Sequence, residues 1–352
     1  MDFILNGQGH GNVAATLMAN NFDPRSLRPF LGADGHSYAT VIRNGVQTVE
    51  RLTQNAATLR KDEWIQLDTA IVKAARARLK VVADLRGAGL QYSIPNGMGH
   101  TVLQTEKMSD AGEAALSMDG LRETKGDRPH FDITNLPLPI AHSDFGFSAR
   151  QVAASRNGGS PLDVSMAEQA ARKVAEQIEQ LTIGTLAAYA FAGGTIYGLI
   201  NHPSINTKDV TDPTETLWTP ATLVNEVLAM KLQSQQDYHY GPWMLYTSPS
   251  WDVYLDDDYS TAKGDNTLRE RLKKIEGIQD IRTLDYLTGY KIILVQMTSD
   301  VIRMIVGMEI TTLQWESKGG MQLNYKVMGI LVPQIRADFN GNCGIVYGAA
   351  GL

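Results

Sequence analysis

The stretch from residue 90 to 135 limits what the whole chain can be. Methionines aside, its large apolar side chains are nearly all Tyr92, Ile94, Val102, Leu103, Leu116, Phe131 and Ile133, and Gly97, Gly99, Gly112, Gly120 and Gly126 interrupt them. His130-Phe131-Asp132-Ile133-Thr134 alternates as a half-buried strand does, and residues 101–107 supply a partner strand. A two-stranded ribbon with so little apolar surface does not hold itself together in water. A long excursion of this kind signals function or disorder, and the strand patterning argues against disorder. The ribbon is therefore expected to lie on another subunit, adding strand edges or side chains to a neighbour. Tyr92, Ile94, Val102, Leu103, Phe131 and Ile133 are the residues expected to make that contact.

A long helix is the clearest local feature. Ala167, Ala171, Val174, Ile178, Leu181 and Thr185 recur at alternating steps of four and three, so they share one helical face. Asp163 is the expected N-cap, with Ser165 as the alternative, and Pro161 limits extension backwards. Glu168, Arg172 and Glu176 form an i, i+4 ladder on another face. The spacing predicts a helix over 163–189 whose face from Ala167 to Leu181 is core.

With 352 residues, the chain is long enough for one elaborated domain or two ordinary ones. Hydrophobic residues at 43% and charged residues at 20% mark it as globular. A net charge of −6 gives no overall basic field, which argues against sequence-specific nucleic-acid binding as the main task. Cys343 is the single cysteine, so there is no intrachain disulfide, and a reducing compartment fits. No apolar run approaches the ~20 residues of a spanning helix, and the N-terminus has no signal-like segment. The chain is read as soluble, assembled in the cytoplasm and without a membrane partner.

Residues 1 to about 45 are rich in Gly, Asn, Asp and Pro and read as an extended arm held down by other surfaces. A second helix is predicted over 61–86, with Trp64, Leu67, Ile71, Ala74, Val81 and Leu85 mostly on one face and Asp62 as cap. Its other face carries Lys73, Arg76, Arg78 and Lys80, read first as a solvated basic face and second as a contact for polyanion. Thr219-Pro220 opens a helix through Leu223, Val227, Leu228 and Leu232. Strands are expected at 243–246, 278–284, 291–297 and 301–310, and a helix at 268–275. Residues 215–300 thus read as an α/β lobe, and the strand-rich stretch 304–347 is expected to pack under the long helix.

Chemistry is hard to find. The seven histidines lie in no metal-binding spacing, and a single cysteine gives no thiolate cluster. Asp256-Asp257-Asp258 with Asp265 lacks the spacing of a calcium loop and reads as a solvated acidic turn. Gly7-Gln8-Gly9-His10-Gly11-Asn12 has no preceding strand and no following Lys-Ser/Thr, so it is no phosphate loop. Neither a nucleophile elbow nor a dinucleotide fingerprint is present, and Cys343 has no electropositive context. No catalytic residue, cofactor or metal is assigned.

Four segments, in order, carry a resemblance. The first is Val82-Ala83-Asp84-Leu85-Arg86-Gly87-Ala88-Gly89-Leu90 running into Tyr92-Ser93-Ile94-Pro95-Asn96-Gly97-Met98-Gly99. The second is Leu136-Pro137-Leu138-Pro139-Ile140 with Asp144-Phe145 and Arg150. Residues 158–163 leading into Ala170-Ala171-Arg172-Lys173-Val174-Ala175-Glu176 and Ile178-Glu179 are the third. Tyr240-Gly241-Pro242-Trp243, with Leu245 and Ser248-Pro249, is the fourth. Together they resemble the encapsulin (linocin-like) branch of the tailed-phage major capsid proteins, which have the Hong Kong 97-type fold.

The resemblance implies an α+β chain with an N-terminal arm at 1–60, a helix at 61–90, and an extended β-hairpin loop at 91–140. It further implies a peripheral domain at 141–214 and 301–352, with Ala167, Ala171, Val174, Ile178 and Leu181 on its spine helix 163–189, and an axial domain at 215–300. The implied role is structural: a homo-oligomer of pentamers and hexamers forming an icosahedral shell around phage double-stranded DNA. The alternative is a nanocompartment shell enclosing cargo enzymes. A portal and a separate scaffolding or decoration protein are the implied partners. Arg76, Arg78 and Lys80 are the candidates for a weak, non-specific, salt-sensitive DNA contact.

Overall fold

The computed structural model describes residues 29–32, 34, 36–43, 46–51, 59, 61–109, 116, 118, 128, 130–158, 164–259 and 266–351. In chain order, β1 (Pro29–Leu31), β2 (Ser37–Arg43) and β3 (Val46–Arg51) form an antiparallel sheet. These strands fall within the extended arm expected over residues 1–60. Residues 37–43 and 46–51 are rich in Thr, Val and Ile, and Asn44-Gly45 between them is a strong hairpin signal. Residues 1–28, 33, 35, 44–45, 52–58 and 60 of the expected arm lie outside the described residues.

Helices α1 (Lys61–Arg76) and α2 (Lys80–Gly87) replace the single helix expected over 61–86, and Asp62 falls inside the first turn of α1 instead of capping it. The elements that follow are β4 (Gln91–Ser93), β5 (Val102–Met108), β6 (Phe131–Pro137), β7 (Ala141–Ser148), α3 (Ala149–Gly158) and α4 (Ser165–Ile183). After them come β8 (Tyr189–Phe191), β9 (Gly194–Ile196), β10 (Asn206–Asp209), α5 (Pro220–Gln236), β11 (Trp243–Thr247), α6 (Asp252–Leu255) and α7 (Leu268–Lys273). The last strands are β12 (Ile278–Thr283), β13 (Lys291–Gln296), β14 (Ile302–Ser317), β15 (Gln322–Ile335) and β16 (Ile345–Ala349).

The chain divides into two units. The first holds Leu138–Thr182, Met304–Val332 and the described residues up to Thr101. Its sheet runs β4-β14-β15-β7. The register sets Phe145 opposite Tyr325 and Phe147 opposite Leu323, so aromatic rings collect on one face. Phe145 stacks on Tyr325 at 5.1 Å between centroids, and Trp64 of α1 meets the same ring edge-on at 6.1 Å.

Helix α4 buries Ala167, Ala171, Val174 and Ile178, as the periodicity predicts. It is shorter than the expected 163–189. Gly184, with φ of +93°, lies in the left-handed region just past its end, so Thr185 is not helical. Leu181 is only half-buried. The buried stripe steps by four from Ile178 to Thr182, whose hydroxyl is satisfied by donating to the Ile178 carbonyl at 2.8 Å. Asp163, the expected cap, lies outside the described residues.

The second unit holds Val102–Pro137, Ile183–Arg303 and Pro333–Leu352. Its five-stranded sheet runs β10-β16-β13-β11-β12. Strand β16 lies beside β13, although residues 301–352 were expected to lie apart from this lobe. The reason is burial: Ile292, Ile293, Leu294 and Val295 are all covered, so β13 must be interior. Within 215–300 only β11 flanks it, and Ile345-Val346-Tyr347 supplies the other side.

Trp243, Leu245, Trp251, Leu268, Leu294 and Val346 join the lobe's core with Leu223, Val227 and Met230 of α5. Helix α5 starts at Pro220 as predicted, and the Thr219 N–H donates to the Thr222 hydroxyl at 3.3 Å. Leu228 and Leu232, placed on its buried face by sequence, are exposed; Val224, Met230 and Ser234 take those positions.

Candidate assembly surface

Strands β5 and β6 form the ribbon as an antiparallel pair, with Thr105 opposite Thr134 at its middle. Directly opposed residues share a face, so Met108 and Phe131 lie on the same side as Glu106 and Ile133. Met108 is 61%, Phe131 53% and Ile133 59% exposed, and Leu116 and Met118 farther along are exposed as well. This end of the ribbon leaves large apolar groups in water. Val102 and Leu103, at the start of β5, are half-buried.

The other end is anchored in its own unit. Leu136 and Pro137 are buried, the Asn135 amide donates to the Ala192 carbonyl at 3.3 Å, and Gly194 passes so close to the Asn135 carbonyl that a Cβ has no room. At the middle Gln334 donates to the Thr105 hydroxyl at 3.3 Å, and at the far end His130 meets Phe339 edge-on at 6.3 Å. The ribbon expected to lie on another subunit is thus also held by its own unit, at its root and along its length.

Tyr92 and Ile94 do not belong to the hairpin. Tyr92 pairs with Ile305 in the four-stranded sheet, and the Ile94 N–H donates to the Val306 carbonyl at 2.9 Å. Strand β14 offers a free edge there, and three extended residues take it before the chain turns at Gly97. The hairpin therefore runs from Val102 to Pro137, inside the 91–140 expected.

A groove of about 780 Å³ lies between the hairpin, the chain from Gly193 to Ser204 and residues 333–342. Lys107, Asp132, His202, Asp300, Arg336 and Asp338 make its lining polar. Burial, helped by the positive field of Lys107, pushes His202 down to about 4, so its ring is neutral. The Ser204 N–H donates to its Nδ1 at 3.2 Å, which leaves the ring proton on Nε2. Burial pushes the Cys343 thiol up to about 11, the opposite of what an activated nucleophile needs. Among the described residues, no three His, Cys, Asp or Glu side chains are placed to hold a metal ion. None of their helices is long and apolar enough to cross a membrane.

The three basic candidates do not form one set of solvated cations. Arg76 is exposed, Arg78 lies 3.8 Å from Glu176, and Lys80 is half-buried in the first turn of α2. Glu176 also takes Lys173 at 2.9 Å, which draws it into pairs other than the expected Arg172 ladder. In the acidic turn, Arg269 bridges Asp252 at 3.0 Å and Asp256 at 2.9 Å. Asp265 lies outside the described residues.

A profile described as a family of unknown function (DUF6260) matches residues 54–348. The chain belongs to this family. It is also similar to the type 1 encapsulin shell protein EncA of Myxococcus xanthus (strain DK1622), at 25% identity over 196 residues. That match covers 54% of this chain and 61% of the relative, so it spans less than two thirds of that protein's length. A virus-like particle from Pyrococcus furiosus is similar in structure, with a TM-score of 0.57 at 18% identity over 81% of this chain and 98% of that one. The capsid of Myoviridae phage XM1 gives 0.54 at 10% identity over 71% and 86%. The capsid of an empty GTA particle gives 0.52 at 12% identity over 76% and 89%.

At these identities the structural likenesses show the fold, and it is the α+β, Hong Kong 97-type capsid fold expected from the four segments. The relatives so identified are structural shell and capsid proteins, not enzymes. In this member of DUF6260, sequence reasoning missed one residue, Glu179, which is 1% exposed on the buried face of α4. The signal was available. Glu179 follows Ala175 by four on the apolar stripe, and an acid there has to find donors.

Proposed function

We propose that the chain is the repeating subunit of an icosahedral shell, the major capsid protein of a tailed phage, enclosing double-stranded DNA. The observation that carries the reading is the hairpin: rooted in its own unit, it leaves Met108, Phe131 and Ile133 more than half exposed. Fully burying each such side chain is worth roughly 1.5–3 kcal/mol, and a second copy supplies the cover. Contacts of this heterologous kind close into rings, here the pentamers and hexamers of a shell. In this reading β5–β6 is the extended loop, α4 the spine of the peripheral domain, and the five-stranded lobe the axial domain. The arm at 1–60 ties neighbours together. Assembly takes place in the host cytoplasm and the product is the virion shell, with a portal and a separate scaffolding or decoration protein as partners. DNA contact on the inner wall is non-specific and weakens with salt, Arg76 being the most exposed of the three basic candidates.

Expression of the full chain followed by electron microscopy tests the reading. Closed shells are expected, and a stable monomer at micromolar concentration contradicts it. A second reading, a nanocompartment shell around cargo enzymes, draws support from the sequence match to an encapsulin shell protein. Small shells that co-purify with an enzyme and lack nucleic acid favour that reading; portal and terminase genes beside the coding sequence favour the capsid.

A further inference from the structure

Helix α2 begins without a cap of its own. Leu79, at its cap position, is outside the helical region (φ −88°, ψ 75°), and no side chain there accepts a hydrogen bond. The cap comes from 98 residues away: Glu179 of α4 accepts the Val81 N–H at 2.7 Å. The N–H groups of Lys80 and Val82 also favour its charged form. A carboxylate at a helix N-terminus is favoured by the helix dipole. Glu179 thus satisfies an N–H left orphaned where the chain restarts as α2 after the break at residues 77–79.

The surroundings oppose the charge. Glu179 is 1% exposed, and its Oε2 is buried with no hydrogen-bond partner. Asp84, a turn farther along α2 and itself buried, adds a second negative field. Of the cations on these segments, Arg78 and Lys173 lie against Glu176, at 3.8 and 2.9 Å, Arg86 lies against Glu309 at 2.8 Å, and Lys80, half-buried in the first turn of α2, meets Glu179 through its N–H. Desolvation is the largest influence and pushes Glu179 up from 4.5 to about 7.

We propose that Glu179 is a proton-operated clamp: its protonated carboxyl holds the break between α1 and α2 against α4, and loss of the proton loosens that joint. The sign follows from linkage. A carboxyl whose folded value is raised stabilises fully below its unfolded value and loses that contribution as pH rises through the folded value. Here the window runs from 4.5 to about 7. The clamp belongs to the first unit alone and does not rest on the shell reading.

The test is thermal unfolding of the full chain from pH 5 to pH 8, beside Glu179→Gln and Asp84→Asn in the same assembly state. The wild-type folding equilibrium is expected to weaken by up to roughly 300-fold across the window, the equivalent of the shift from 4.5 to about 7. Glu179→Gln, which cannot ionise, should lose that step. Asp84→Asn should move its midpoint to lower pH. Parallel pH curves for wild type and Glu179→Gln overturn the proposal. Where Glu179→Gln does not fold, an Asp84→Asn midpoint identical to wild type overturns it, and a lowered midpoint supports it. Infrared titration gives the direct readout: a protonated-carboxyl band that disappears near pH 7 in wild type.

Discussion

The five-stranded lobe and the two-stranded hairpin belong to the same unit, and they solve the burial problem in opposite ways. In the lobe, β13 has a strand on each side, and Trp243, Trp251, Leu245 and Leu294 are at most 1% exposed. In the hairpin, Leu136 and Pro137 are covered at the root while Met108, Phe131 and Ile133 stand in water. Both structures are built from paired strands. What separates them is the number of layers: the lobe has helices over its sheet, and among the described residues the distal hairpin has no helix or second sheet over it, only a groove wall from residues 333–342 with Phe339 against His130. On the proposed shell reading, the lobe carries stability within the chain and the hairpin carries the free energy of association.

Excision of the hairpin is expected to have the largest effect. Removing residues 105–134 and joining Gln104 to Asn135, which face each other in the pair, by a two-residue turn should abolish shells and leave a folded, soluble chain. Sedimentation and circular dichroism read the two halves of that outcome separately. Normal shells from this variant would break the comparison. On the other side of it, Trp251→Ala should destabilise the chain by about 3–5 kcal/mol, because the fully buried ring leaves a cavity in the lobe. Urea unfolding measures it, and a loss below about 1 kcal/mol would mean that the lobe tolerates a void there.

Phe131→Ser combined with Ile133→Ser comes next. Unfolding of the single chain should change by no more than about 0.5 kcal/mol, as for surface changes in general. The shell should lose about 2–3 kcal/mol per subunit contact, read as a raised critical concentration for assembly. Equal effects on both readouts would erase the distinction between lobe and hairpin.

Acid should give a more modest and graded effect. Burial and Lys107 hold His202 near 4, below its ordinary 6.5, so the unfolded chain binds the proton better. Its contribution is present above 6.5 and is lost as pH falls to about 4, by at most about 3 kcal/mol. Unfolding midpoints of wild type and His202→Gln at pH 4 to 7 check this, with the variant expected to have the flatter profile. Glu179 in the first unit acts in the reverse sense, so acid weakens one unit and alkali the other.

Much of this was legible in the sequence where the cause is local. The α4 stripe from Ala167 to Ile178 repeats with the helical period, and residues 101–107 and 130–134 alternate as paired strands do. The readings failed where the cause lies far along the chain. The start of α2 takes its acceptor from Glu179, the lobe needs β16 from the far end, and Tyr92 leaves the hairpin because β14 offers an edge. Leu228, Leu232 and Leu181 have the right spacing for burial, yet neighbouring positions took it, which periodicity alone cannot separate by one residue. The Asn44-Gly45 signal was local and went unread. At the candidate surface, Met108, Phe131 and Ile133 became visible as a set only once the register put them on one face.

Mass photometry of the purified full chain over a dilution series tests the central claim most directly. Particles of many subunits at micromolar concentration, giving way to smaller species when Phe131 and Ile133 are replaced by Ser, are the expected result. A single-chain mass at every concentration, the same for wild type and variant, would contradict it.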